Sequence, residues 1–190
     1  MSRDIEQMAV LPHLSSEFML WIWWVSECNG CLYNFASADD DETVSLDDDL
    51  ESVEMWLDDR ITMRPSDDTK VSNVMTGESV GTAPEAKVAI ANEKVIQEIR
   101  MGLRIDDREY NIGLKGSELS LHGVRLPAAC SVGEGLDEAV FERFHLLEEV
   151  DQVLAKLFND FARVRVSDEW QTTIAPAIGE WLNEDLDDDE

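Results

Sequence analysis

Apolar residues follow three distinct rhythms along this chain. Between residues 17 and 28 they are almost continuous. The stretch EFMLWIWWVSE is apolar on nearly every side at helical spacing, which predicts a buried helix rather than an amphipathic one. Ser15-Ser16 supplies the N-cap, Glu17 an acid in the first turn, and Asn29-Gly30 the stop. Trp21, Trp23 and Trp24 are assigned to core packing, because a stacking platform for bases needs a positively charged groove and none accompanies them.

After Gly30 the rhythm shortens to two. Residues 31–35, 44–46, 52–57 and 60–64 are short, β-prone and separated by acid-rich turns, with Asp58-Asp59 turning a hairpin between the last two. A Gly/Ser/Thr-rich stretch over 76–82 leads into a second helix, capped by Thr82, with Pro84 in its first turn and residues 85–92 continuing it. Residues 94–105, 108–114 and 119–126 alternate as a three-stranded meander, turned by Asp106-Asp107 and Lys115-Gly116.

Beyond a linker over 127–135 the period lengthens again. Apolar residues at 140, 144, 147, 150, 154, 157/158, 161 and 164 predict one long helix over 136–164 with a single buried stripe. Arg163 and Arg165 suit the negative end of its dipole. Ser167 caps a last helix carrying Trp170, Ile174, Ile178 and Trp181, interrupted by Pro176. The expected fold is α+β, with antiparallel sheet packed against a buried Trp-rich N-terminal helix and long C-terminal helices. Residues 1–11 are expected to be a flexible arm, 12–184 a single α+β domain, and 185–190 an acidic tail.

Charge changes this picture most. The chain has 190 residues with 42 acids against 15 Lys and Arg, a formal net charge of −27. The excess is uneven: residues 39–68 carry −11 and 136–190 carry −12, whereas 69–135 hold nine acids and eight bases. At one phosphate per about 1.7 Å of duplex, 27 charges match roughly 14 base pairs of DNA. Such a molecule repels nucleic acid and anionic membranes and attracts basic surfaces. Salt adaptation or plain solubility would also favour acids, and Lys is scarce at five; but salt adaptation predicts acids everywhere, and 69–135 is nearly neutral. Six Trp and a 44% hydrophobic fraction place the charge on a folded body.

The longest apolar run, 18–25, is too short to span a bilayer, and no basic region with a small-residue cleavage site opens the chain. Three cysteines without a disulfide pattern favour a reducing cytoplasm.

Few motifs carry chemistry. Cys28-Asn-Gly-Cys31 sits at a helix C-terminus, where the dipole raises a thiol pKa instead of lowering it, so the pair reads as structural. Cys130, His13 and His122 lack the spacing that would complete a zinc site with it. The Asp runs lack the Gly turn and distal Glu of a calcium loop. Glu85-Ala-Lys87 has the form of a nuclease E-x-K but follows Pro84 on a predicted helix. His13, His122 and His145 are isolated, and no nucleophile elbow, P-loop or dinucleotide fingerprint is present. The expectation is a protein that is not an enzyme, with no cofactor and no metal.

Several segments in order resemble the later part of proteins related to the recombination-associated protein RdgC, in a divergent bacterial branch. They are residues 16–27 (SEFMLWIWWVSE), Thr76-Gly77-Glu78 with Ala83-Pro84-Glu85-Ala86-Lys87, and Val124-Arg125-Leu126-Pro127. Glu142-Arg143-Phe144 and Arg165-Val166-Ser167-Asp168-Glu169-Trp170 complete the set, which spans about residues 14–182. The resemblance implies an α+β fold and a link to DNA recombination, replication or phage biology. RdgC proteins form ring-shaped dimers that hold duplex DNA in a basic hole. Against that resemblance, the chain is expected to lack the large N-terminal portion, and its net charge is opposite. The resemblance brings no catalytic residues.

The expected partner is therefore a basic DNA-binding protein, which this chain engages as a DNA mimic or as an accessory factor, with no membrane, no direct nucleic acid favoured, and a homo-oligomer left open. The candidate surface is Asp39, Asp40, Asp41 and Glu42, then Asp47, Asp48 and Asp49, with Asp58 and Asp59; Glu148, Glu149 and Asp151 form a second surface on the long helix. Carboxylates accept paired hydrogen bonds from Arg as phosphates do. The competing expectation is an RdgC-like DNA-binding oligomer using Arg100, Arg104, Arg108, Lys115 and Arg125. A structural or assembly role in a phage or larger complex is a third.

Overall fold

The structure, a computed structural model, describes residues 14–35, 52–65, 73–76, 84–116, 119–128 and 135–184. The expected arm, the strand over 44–46, the Thr82 cap and the acidic tail lie outside the described residues.

Helix α1, Leu14–Cys28, buries Phe18, Met19, Trp21, Ile22, Trp23, Val25 and Ser26, as its all-round apolar sequence requires. Its stop is built from backbone alone. Gly30 takes φ 59° and Cys31 φ 72°. Cys31 N–H then donates to the Ser26 carbonyl at 2.8 Å and Gly30 N–H to that of Glu27 at 3.3 Å, the paired bonds of a Schellman ending. The helix begins one residue before the expected cap. Ser16 Oγ instead donates to the Ile96 carbonyl at 2.7 Å, tying α1 to the sheet.

Among the described residues the sheet has six antiparallel strands: β1 (Leu32–Asn34), β2 (Ser52–Pro65), β3 (Asn73–Thr76), β4 (Lys94–Ile105), β5 (Arg108–Lys115) and β6 (Ser120–Arg125). Their order is β1-β2-β4-β5-β6, with β3 also on β2. The meander of β4, β5 and β6 follows the expected alternation, and Asp106 turns its first hairpin at φ 53°.

The expected hairpin at Asp58-Asp59 does not form. Residues 52–65 are one strand, and the acid pair sits in a bulge where the register on β4 moves from Leu57↔Met101 to Ile61↔Ile99. Two charged residues look like a turn in sequence. Here the extra length is two residues, an even number, so Ile61 and Met63 stay on the face already used by Val53 and Met55, all four buried.

That face carries the core: Ile99, Met101 and Leu103 of β4 and Tyr110, Ile112 and Leu114 of β5 are buried beneath α1 and the later helices. On the opposite face the Trp56 ring lies flat over Gly102, where an added Cβ would come within 2.0 Å of the indole.

Helix α2 is Pro84–Ala91, α3 is Leu136–Val166, and α4 is Ala175–Asn183, reached through one π-helical turn at Trp170–Ile174. Ser167 separates α3 from the last helical segment: its Oγ donates to the Val164 carbonyl at 2.8 Å, its own carbonyl accepts Trp170 N–H at 3.3 Å, and helical residues resume at 168, where the sequence places the last helix. Pro176 falls in the first turn of α4, where its missing N–H costs nothing. α3 buries Leu146, Val150, Val153, Leu154, Leu157 and Phe161, but no residue before Leu146. The expected burial at 140, 144 and 147 is therefore overturned. A regular helix drifts about 20° per heptad, so these three positions fall to one side of the line through 150, 157 and 161.

Candidate functional site

The acids proposed as a partner surface separate into three groups. Asp39, Asp40, Asp41, Glu42, Asp47, Asp48 and Asp49 lie outside the described residues. Asp58, Asp59 and Glu149 each face a partner within the fold, Asp59 from an exposed position. Asn111 Nδ2 donates to Asp58, and Arg100 Nη1 lies 3.9 Å from Asp59. Glu149 is largely buried and joins α3 to β5. It accepts the Tyr110 hydroxyl, lies 2.8 Å from Arg108 Nη2, and has His145 Nε2 at 3.5 Å. Burial, and then the carboxylate at its hydroxyl, push the Tyr110 phenol well above its usual range.

Glu148 and Asp151 stand exposed on α3, one turn apart. They have company: Asp137 and Glu138 in the first turn are also exposed, and Arg143 is the single base over residues 136–151. This acidic side of α3 also carries the apolar residues that the sequence reading placed in the core. Phe141 is 73% exposed and Phe144 65%, where burial was expected at 144.

The basic residues of the competing reading are mostly paired. Arg104 bridges Glu54 at 2.5 Å and Glu109 at 2.6 Å. Arg100 faces Asp59 and Arg108 faces Glu149; Lys115 and Arg125 are exposed. The bases thus serve largely to hold the sheet's own carboxylates.

A second cluster was missed in sequence. The Glu27 carboxylate accepts Trp23 Nε1 at 2.7 Å and Trp181 Nε1 at 2.9 Å, with Lys87 Nζ 3.7 Å away. Lys87 also sits over the Trp181 ring at 4.7 Å. One carboxylate thereby joins α1, α2 and α4, and its donors account for an acid in an apolar helix. The only sequence signal was that acid itself.

Cys28 and Cys31 are free thiols, the first exposed and the second half-buried. Burial, followed by Glu184 and Glu27, raises the Cys28 pKa; burial, followed by Glu54 and Glu27, raises that of Cys31. Reactive thiols need the opposite, an electropositive setting. Among the described residues, no group of three or more His, Cys, Asp or Glu is arranged to hold a metal ion, and no helix is long and apolar enough to cross a membrane. Compared with known proteins, the chain matches no family model, no curated protein and no solved structure.

Proposed function

We propose that this protein is a non-enzymatic acidic binding protein whose partner is a basic DNA-handling protein, engaged as a DNA mimic or accessory factor in recombination, replication or conflict between phage and host. The observation that carries this reading is the exposed acidic side of α3, with Asp137, Glu138, Glu148 and Asp151 and one base among them, on a chain of net charge −27. Carboxylates spaced along a helix meet Arg and Lys as phosphates do, and the summed field accelerates encounter with a cationic surface. The runs at 39–42 and 47–49 add to that field whatever their placement.

The test is affinity purification from the native host with the wild-type chain and with two charge-reversed variants, D47K/D48K/D49K and E148K/D151K. A basic nuclease, polymerase or recombinase should be retained by the first and lost from both variants. Retention of only metabolic or membrane proteins, or equal retention by all three chains, would refute the reading.

The second reading, an RdgC-like oligomer on duplex DNA, draws on Arg100 and Arg104 lying on the sheet face opposite the core. Their pairing with Asp59, Glu54 and Glu109 counts against it. A tight, salt-sensitive mobility shift with duplex DNA would favour this second reading over mimicry.

A further inference from the structure

Among the described residues, eight large hydrophobic side chains are exposed, and five of them fall in the first twelve residues of α3: Leu136, Val140, Phe141, Phe144 and Leu147. Single exposed apolar residues are ordinary; a contiguous patch is not. At 3.6 residues per turn these five occupy one arc of about 140°, and the spacing 136, 140, 144, 147 forms a ridge of the kind that packs into the groove of another helix.

The same arc holds Asp137, Glu148 and Asp151, all exposed, whereas Arg143 falls outside it. This composition chooses among occupants. A second copy would place these acids against their own images on two bodies of −27 each, which is repulsive. An anionic bilayer is repelled for the same reason. A cationic helix with an apolar ridge satisfies both features at once.

We propose that the outward side of the first four turns of α3 is a docking site for an amphipathic helix whose apolar ridge is flanked by lysines and arginines. The inference rests on the basic-partner reading above and adds to it the chemistry of the contacting segment. The partner's apolar ridge covers Phe141 and Phe144, and its bases meet Asp137, Glu148 and Asp151. Helix-in-groove recognition is read through such i, i+3/i+4, i+7 anchors.

The probes are a synthetic amphipathic helix of leucines and lysines and an oligolysine of equal charge, titrated calorimetrically into the full chain at about 0.15 M salt. The leucine–lysine helix should bind, and F141S/F144S should weaken it at least tenfold, the scale of losing two buried aromatic anchors (~1.4 kcal/mol or more). Both positions are exposed, so circular dichroism should be unchanged. D137N/E148Q/D151N should weaken binding and reduce its salt dependence, and V166S, an exposed apolar change at the other end of α3, should leave it unaltered. Equal affinity for wild type and F141S/F144S, with oligolysine binding as well, overturns the docking site and leaves the basic-partner reading standing. If neither basic peptide binds, both fall. A dimer in sedimentation equilibrium that F141S/F144S dissociates would assign the ridge to a second copy and overturn the proposal.

Discussion

Glu27 shows how much a single side chain can organise. Its carboxylate is 24% exposed and Lys87 beside it 7%, so neither charge has much water to fall back on. Removing the carboxylate takes an acceptor from two indole N–H groups and a negative charge from beside a buried ammonium, at a cost of about 3 kcal/mol. E27A should lower stability by that order in a denaturant titration followed by tryptophan fluorescence; a loss below about 0.5 kcal/mol would mean water replaces the carboxylate. The two tyrosines offer a test by pH. Burial, and then Asp160 at its hydroxyl, raises the Tyr33 phenol as burial and Glu149 raise Tyr110. A folded pKa above the unfolded value of about 10 gives stability that is intact below pH 10 and lost as pH rises beyond it. Since the chain has only these two tyrosines, phenolate absorbance should be nearly absent from the folded protein at pH 10 and should appear with alkaline unfolding. Half of the full signal at pH 10 in the folded state would contradict this.

At the scale of elements, α3 serves two purposes along its 31 residues. Phe161 is fully buried among Phe18, Trp21 and Trp170, with ring centroids 5.3–5.7 Å away, whereas Phe144 faces outward. F161A should therefore cost about 3–5 kcal/mol and F144A less than about 0.5 kcal/mol, although both remove the same group from one helix. Similar losses would show that the first turns of α3 are covered after all. On the sheet, G102A should destabilise by about 1–3 kcal/mol and W56A should relieve it, because the nearest atoms to the added Cβ all belong to that ring. The meander, α1 and the bounds of α3 were legible in sequence because each has a sustained period and clear punctuation. Three features were not. β3 is four residues long and is defined by its partner, β2. The bulge at Asp58-Asp59 has the composition of a turn. The outward turn of the ridge at 140–147 follows from the helix's drift against a seven-residue repeat, which a count of apolar positions alone overlooks.

For the whole molecule, charge is the dominant property. The Debye length falls from about 30 Å at 0.01 M salt to about 3 Å at 1 M, so self-repulsion at −27 should weaken across that range. The melting temperature should rise with added sodium chloride; a flat or falling trend would show that repulsion does not limit stability. The candidate acids were legible as an anionic excess and not as individuals. Glu149 meets Tyr110 across 39 positions and Asp58 meets Asn111 across 53, separations that composition cannot bridge.

The bulge in β2 has one more consequence. On the outer side of that strand β1 pairs residues 52–54 and β3 pairs residues 60–63, so among the described residues no strand covers the interval between them. An unpaired strand edge is a template for fibril growth, and the charges of Asp58 and Asp59 are gatekeepers in that interval. Replacing both with threonine would keep the strand and remove its guard, turning that interval into a nucleation point for amyloid-like stacking.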